Sequence, residues 1–132
     1  MEHTIKKILV PVDFNESSVQ AVKYAAGLAR KVGAEILLFN IIYTPGLLAQ
    51  FFLDGDNLVK ITEQAKEKLI QLADSVKSEI ADIEVITRVE RGKPYEKILS
   101  VSKEWGANMV ILGENHQCGN PEDELGTTVY HV

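Results

Sequence analysis

A chain of 132 residues falls in the range of a single domain and buries roughly two thirds of the surface it exposes when unfolded, so a real core is available. Its 45% hydrophobic and 25% charged residues exclude a disordered class, and no apolar run nears the ~20 residues of a membrane-spanning helix. A net charge of -5, with no dense Lys and Arg patch, argues against nucleic acid or anionic membrane as partner; a phosphate-bearing ligand would have to be held by something other than bulk positive charge.

The start "MEHTIKK" lacks the apolar core and cleavage site of a secretory signal, which makes a cytoplasmic location the expectation. Residues 5–12, "IKKILVPV", read as the first strand, and Asp13 follows at once. In an open parallel α/β sheet ligands bind at the carboxyl ends of strands, so this carboxylate is a candidate working group; it also reads as the first polar residue of a turn. A helix follows, in which Ala21, Ala25, Leu28 and Val32 share one face beside Val22, Ala26 and Ala29. Ser17 with Gln20 predicts a capping box, and Gly33 supplies the stop.

"EILLFNII" (35–42) reads as a strand covered on both faces. The connection 43–56 carries Leu47, Leu48, Phe51 and Phe52 and is expected to be a loop or short helix over the core, with a lid or partner surface as the alternative. Ile61, Ala65, Leu69, Leu72, Val76 and Ile80 form the stripe of the second helix. After a third strand at 83–89, Arg88, Arg91 and Lys93 make a small basic group, a solvated face that is also within reach of a phosphate at that sheet end. The third helix runs from Pro94 to Trp105 with Gly106 beyond it, and Tyr95 and Trp105 are expected in core or rim packing. The fourth strand, 108–113, ends in Gly113. The alternation β-α-β-α-β-α-β predicts one domain over 1–132: an open, mainly parallel sheet with right-handed crossovers and helices on both faces.

Beyond Gly113 stands "ENHQCGNPEDELG", closing at Gly126 with Thr127 and Thr128 next. A strand-end glycine lets the backbone turn close to a ligand, and a Gly-Thr pair opening a helix offers amides and a hydroxyl to an anion; an ordinary glycine-bearing loop is the alternative. His116 and Cys118 lack the further ligands zinc requires, and "DGDN" fails as a calcium loop, so no metal site is expected. The single Cys118 cannot form an intramolecular disulfide. No nucleophile, base and orienting group assemble, and neither a phosphoreceiver nor a flavodoxin pattern fits.

Over essentially its whole length the chain resembles the universal stress protein family, through "ILVPVDFNESSVQAVKYAAGLARKVGAEILLFNII" and "GKPYEKILSVSKEWGANMVILG" in the family's order and spacing. The resemblance implies a Rossmann-like sheet related to the adenine nucleotide alpha hydrolases, five parallel strands between helices, commonly a homodimer, with ATP bound by many members. Carried over residue by residue, it implies that Pro11, Val12 and Asp13 contact the nucleotide, with Asp13 on a ribose hydroxyl or the adenine amine, and Ile41 against the base. The family's phosphate motif is Gly, two residues, Gly, nine residues, Gly and Ser or Thr. Gly113, Gly126 and Thr127 match it, with Thr128 following, and His116 stands at the second glycine. Histidine there crowds the phosphate oxygens or, when protonated, donates to them, and Glu122, Asp123 and Glu124 repel a triphosphate unless magnesium intervenes. ATP or AMP on an altered phosphate loop is therefore expected.

Relatives continue past the Gly-Thr helix into a fifth strand, whereas this sequence ends "TTVYHV". The expectation is a helical stub of one to two turns, a missing final strand, and an open fourth-strand edge that a truncation explains or a neighbouring subunit covers. The function so implied is a non-catalytic stress-response domain that dimerises and has a protein partner; slow ATP hydrolysis finds no supporting residue. The alternative is a nucleotide-independent dimerisation and interaction module with a degenerate pocket.

Overall fold

Short runs of aliphatic and β-branched residues form the strands, and segments of helical period cross between them. The computed structural model describes residues 5–43, 55–115 and 125–131, and of these it describes the backbone alone at 55, 56, 114, 115 and 125–131. In chain order the elements are β1 (Lys7–Pro11), α1 (Glu16–Val32), β2 (Glu35–Ile42), α2 (Gly55–Glu79), β3 (Glu84–Arg91), α3 (Pro94–Trp105), β4 (Met109–Asn115) and β5 (Leu125–His131). They build one five-stranded sheet in the order β3-β2-β1-β4-β5. The first four strands are parallel, with Lys7–Pro11 in register with Glu35–Phe39 and Ile8 opposite Met109.

Alternation along the strands divides the core between two faces. Ile8, Val10, Ile36, Leu38 and Ile111 pack with the alanine-rich face of α1 and with Leu69 and Val76 of α2. Leu9, Leu37, Phe39 and Val110 meet Val101 of α3, with Ile98 and Trp105 at the margin. Apolar side chains on both faces are what make β2 nearly continuously hydrophobic in sequence. Within the predicted α2 stripe, Ala65, Leu69 and Val76 are buried, while Ile61 remains exposed at its start. Among the described residues no helix is long and apolar enough to cross a membrane.

The helix stops fall where the glycines predict. Gly33 adopts φ 75° and donates its N–H to Ala29 O at 2.8 Å, and Gly106 adopts φ 81° and bonds Ser102 O at 3.0 Å. The start of α1 differs from the predicted Ser17–Gln20 box. Asn15 is the cap: its Oδ1 accepts from the Ser18 N–H at 2.8 Å and from the Ser17 hydroxyl at 2.8 Å. Ser17 is already inside the first turn, buried where α1 meets the sheet, and so is not available as a cap.

The larger correction concerns the last strand. Where a helical stub and an open edge are expected, Leu125–His131 is a strand paired antiparallel to β4, from Met109 opposite His131 to Asn115 opposite Leu125. "LGTTVYH" is rich in β-branched and aromatic residues, a helix of one or two turns is marginal alone, and an unpaired β4 edge offers a full row of hydrogen-bonding groups. All three favour the strand.

Asn15→Ala removes the cap and strands the Ser17 hydroxyl, so it is expected to lower stability by about 1–2 kcal/mol, read as a shift of the urea midpoint at constant slope.

Candidate functional site

The chain runs from β1 to β2 on one side and reaches β4 on the other, so the sheet's topological switch point lies between β1 and β4. A cleft opens at the carboxyl ends of the strands there, where open α/β sheets bind ligands. It holds about 190 Å³ and is lined by Pro11, Val12 and Asp13 after β1, Ser18 of α1, Phe39 and Ile41 of β2, Pro94 and Ile98 of α3, and Leu112 and Gly113 of β4. Five of the residues proposed from sequence, Pro11, Val12, Asp13, Ile41 and Gly113, thus share one cleft.

The loop after β1 is tightly fixed. The Val12 N–H donates to Phe39 O at 2.8 Å, and buried Asn40 donates through Nδ2 to Val12 O at 2.7 Å. Val12 therefore has its main-chain groups already engaged, and its side chain is buried in the core on the α1 side of the sheet. Asp13 accepts from the Asn15 N–H at 3.1 Å and from Asn15 Nδ2 at 2.9 Å, so its role in the turn is real. Each carboxylate oxygen keeps lone pairs for a further donor, and the side chain is exposed. Between them Phe14 takes φ 67°, a left-handed conformation costly for a bulky residue. Its ring packs against the α1–α2 side of the core, with Lys68 Nζ 5.7 Å from the ring centroid.

Gly113 has a steric reason to be glycine. A Cβ there would lie 2.2 Å from Ser17 O and 2.6 Å from Ser18 N, inside the first turn of α1. Ser18, buried beside it, donates its hydroxyl to Asn15 O at 3.1 Å and keeps acceptor capacity.

Other expectations fall differently. His116 lies outside the described residues, as do Cys118, Glu122, Asp123, Glu124 and the apolar residues Leu47, Leu48, Phe51 and Phe52. Gly126, Thr127 and Thr128 do not open a helix; they stand in β5 opposite Glu114, Gly113 and Leu112. The amide cluster of a helix N-terminus predicted at Gly126–Thr127 is replaced by strand pairing beside the cleft. Tyr95, predicted in core or rim packing, is 81% exposed, because its side of α3 turns away from the sheet. Trp105 does pack at the core margin, with Lys7 Nζ 5.3 Å from its ring centroid.

The basic group after β3 does not line the cleft. Arg91 lines a separate cavity of about 290 Å³ with Leu58, Val59, Thr62 and Glu63. Arg88 is paired through Nε with Glu90 Oε2 and lies 3.2 Å from Glu104 Oε2, while Lys97 Nζ lies 3.0 Å from Glu90 Oε1. Burial pushes the Glu90 carboxyl up, but the hydrogen bonds and charges of Lys97 and Arg88 together outweigh it and hold the group below the usual carboxylate range.

Ser18, Phe39, Pro94, Ile98 and Leu112 are cleft residues that the sequence reading does not single out. Phe39 had a usable signal: two residues before Ile41 on a strand, it must share Ile41's face. Pro94 and Ile98 are four apart on α3 and share a face likewise, but which face meets the cleft is set by tertiary packing.

The profile of the Universal stress protein family matches residues 4–120. The chain belongs to that family. Among its relatives, universal stress protein YxiE of Bacillus subtilis (strain 168) is 23% identical over 96% of this chain and 90% of its own. Universal stress protein MJ0577 of Methanocaldococcus jannaschii is 25% identical over 96% of this chain and 87% of its own. The solved structure of MJ0577 superposes with a TM-score of 0.69 at 26% identity, covering 93% of this chain and 83% of that one. A universal stress protein crystallised in complex with cAMP shares the fold, with a TM-score of 0.62 at 17% identity over 82% of this chain and 72% of that one.

Two outcomes follow for this family member. Gly113→Ala forces α1 away from β4 and is expected to cost about 3 kcal/mol, measured by urea unfolding, because the clash is with backbone. For Glu90, a carboxyl depressed in the folded state contributes stability that is present above its unfolded pKa and lost as pH falls through the lower folded value. The gap in thermal midpoint between wild type and Glu90→Gln should therefore be widest near neutral pH and close as acid protonates Glu90, with Arg88, Lys97 and Glu104 as the facing charges.

Proposed function

We propose that this universal stress protein acts in the cytoplasm as a homodimeric stress-response domain that works by binding, and that it takes the adenosine part of ATP or AMP in the cleft at the carboxyl end of the sheet. One observation carries the reading: the tips of β1, β2 and β4 converge with α3 on a single cleft at the topological switch point. Its walls of Phe39, Ile41, Ile98 and Leu112 suit the faces of a flat base, and Asp13 suits a ribose hydroxyl or an exocyclic amine. The cAMP complex of a protein of the same fold supports an adenine nucleotide as the ligand class.

The phosphate end is the weak part. A cleft of about 190 Å³ is smaller than the roughly 300–1,000 Å³ of whole-ligand pockets, which favours the nucleoside inside and the phosphates outside. Gly126, Thr127 and Thr128 lie in a strand and present no helix N-terminus, His116 replaces a glycine of the family motif, and Glu122, Asp123 and Glu124 add negative charge that magnesium would offset. ATP then gains little over AMP.

A second reading, a nucleotide-independent dimerisation module with a protein partner, draws on Gly113, whose lack of a side chain the packing of α1 explains without any phosphate. Calorimetric titration separates the two. The nucleotide reading expects ATP with magnesium and AMP to bind within about tenfold of each other. It expects Asp13→Ala to weaken both by roughly tenfold or more through loss of a charge-assisted hydrogen bond, and His116→Gly to strengthen ATP alone. Silence of wild type and His116→Gly toward both nucleotides sinks that reading and leaves the interaction module.

A further inference from the structure

The carboxylate of Glu90 stands beside Ile41 in the β2–β3 register, one strand out from the cleft. It faces α3, and its partners there are specific. Glu90 Oε1 lies 3.0 Å from Lys97 Nζ, and Oε2, an oxygen withdrawn from water, is paired with Arg88 Nε. Arg88 in turn reaches Glu104 at 3.2 Å, so two salt links, at Lys97 and at Glu104, tie one flank of α3 to the edge strand.

Lys97 immediately precedes Ile98 and lies three residues after Pro94, the two residues that α3 contributes to the cleft. Its side chain crosses the backbone at Gly92, where a Cβ would stand 2.7 Å from Lys97 Cε and 2.9 Å from Cγ. Gly92 itself takes φ 151° and donates its N–H to Ile42 O at 3.1 Å, so the floor under that lysine is fixed. The apolar seat of α3 is narrow: Val101 is its buried aliphatic side chain, Ile98 and Trp105 pack at the margin of the same cluster, and Leu99 and Tyr95 are exposed. The ion chain adds a second set of contacts to α3 beside this apolar packing.

We propose that Glu90 is a positioning residue for the cleft: by holding Lys97 over Gly92, with Arg88 and Glu104 as the second tie, it fixes the Pro94–Ile98 wall at the separation from Ile41 and Leu112 that admits a flat purine base. This rests on the nucleotide reading above. It differs from a plain stabilising role, because loss of the pairs is expected to loosen α3 and move one wall of the cleft, beyond any general loss of stability.

The test uses the full chain as wild type, Glu90→Gln, Lys97→Met, the double variant, and Lys97→Arg as the charge-conserving control. Amide hydrogen exchange is followed without ligand, and ATP with magnesium is titrated calorimetrically. Glu90→Gln is expected to speed exchange across 94–101 by roughly tenfold while β1, β2 and β4 keep wild-type protection. ATP affinity is expected to fall by roughly three- to thirtyfold. The double variant should match either single one, and Lys97→Arg should stay near wild type. Unchanged exchange on α3, loosening spread evenly over the sheet, or faster α3 exchange with unchanged ATP affinity would each overturn the assignment. If wild type and His116→Gly bind neither ATP nor AMP, the nucleotide reading falls, and exchange over 94–101 by itself decides whether Glu90 positions α3.

Discussion

The close approach of the first turn of α1 to the end of β4 governs the geometry of this molecule. With no side chain at Gly113, Ser17 and Ser18 sit directly on the strand, and a single methyl group would have to occupy the space of their backbone. Everything near the cleft follows from that contact. The chain leaving β1 must turn within Asp13, Phe14 and Asn15 to start the helix so low, which puts Phe14 in the left-handed region and draws the Asp13 carboxylate onto Asn15. Ser17 and Ser18, ordinarily surface residues, become buried and must spend their hydroxyls on Asn15. One asparagine therefore caps the helix, satisfies two hydroxyl groups and orients the neighbouring acid.

Charge is distributed away from this point. Among the described residues that line the cleft, Asp13 is the one formally charged side chain. Three cations near the cleft wall in sequence are engaged elsewhere, Arg88 and Lys97 with Glu90 and Arg91 on another cavity, while Lys93 stands next to Pro94 without lining the cleft. A net negative protein with one acidic side chain in the cleft offers an anion little steering field, which leaves shape and individual hydrogen bonds as the means of selection there. The proposed nucleoside suits such a cleft better than a phosphate chain does.

Much of this was legible from residue order. Helical period marks the small-residue face of α1, and Gly33 and Gly106 end their helices as glycine does. The set Pro11, Val12, Asp13, Ile41 and Gly113 comes from the resemblance to the family, with strand ends alone pointing to Asp13 and Gly113, and these five line one cleft. The misses have a common origin in tertiary context. Asn15 and Ser17 are both good caps, and only the burial of Ser17 under the sheet decides between them. Pro94 and Ile98 became cleft residues through the rotation of α3 about its axis, which no local pattern encodes. Gly126–Thr127 matched a family pattern for a helix start, while "TTVYH" favoured extension, and the available edge of β4 settled the competition.

That last strand also differs in kind from its neighbours. β1 to β4 are joined by helical crossovers, and their pairing is won against the closure of long stretches of chain. β5 pairs with the strand that precedes it, so the entropy lost in bringing the two together is small, and the ladder can part and re-form without disturbing a crossover. β1 to β4 thus form a parallel block of non-local pairings, and β5 is a selvedge closed over a short span of chain. That selvedge flanks Gly113 and Leu112 with Thr127 and Thr128, so the cleft is walled on its β4 side by a strand the parallel block does not itself supply.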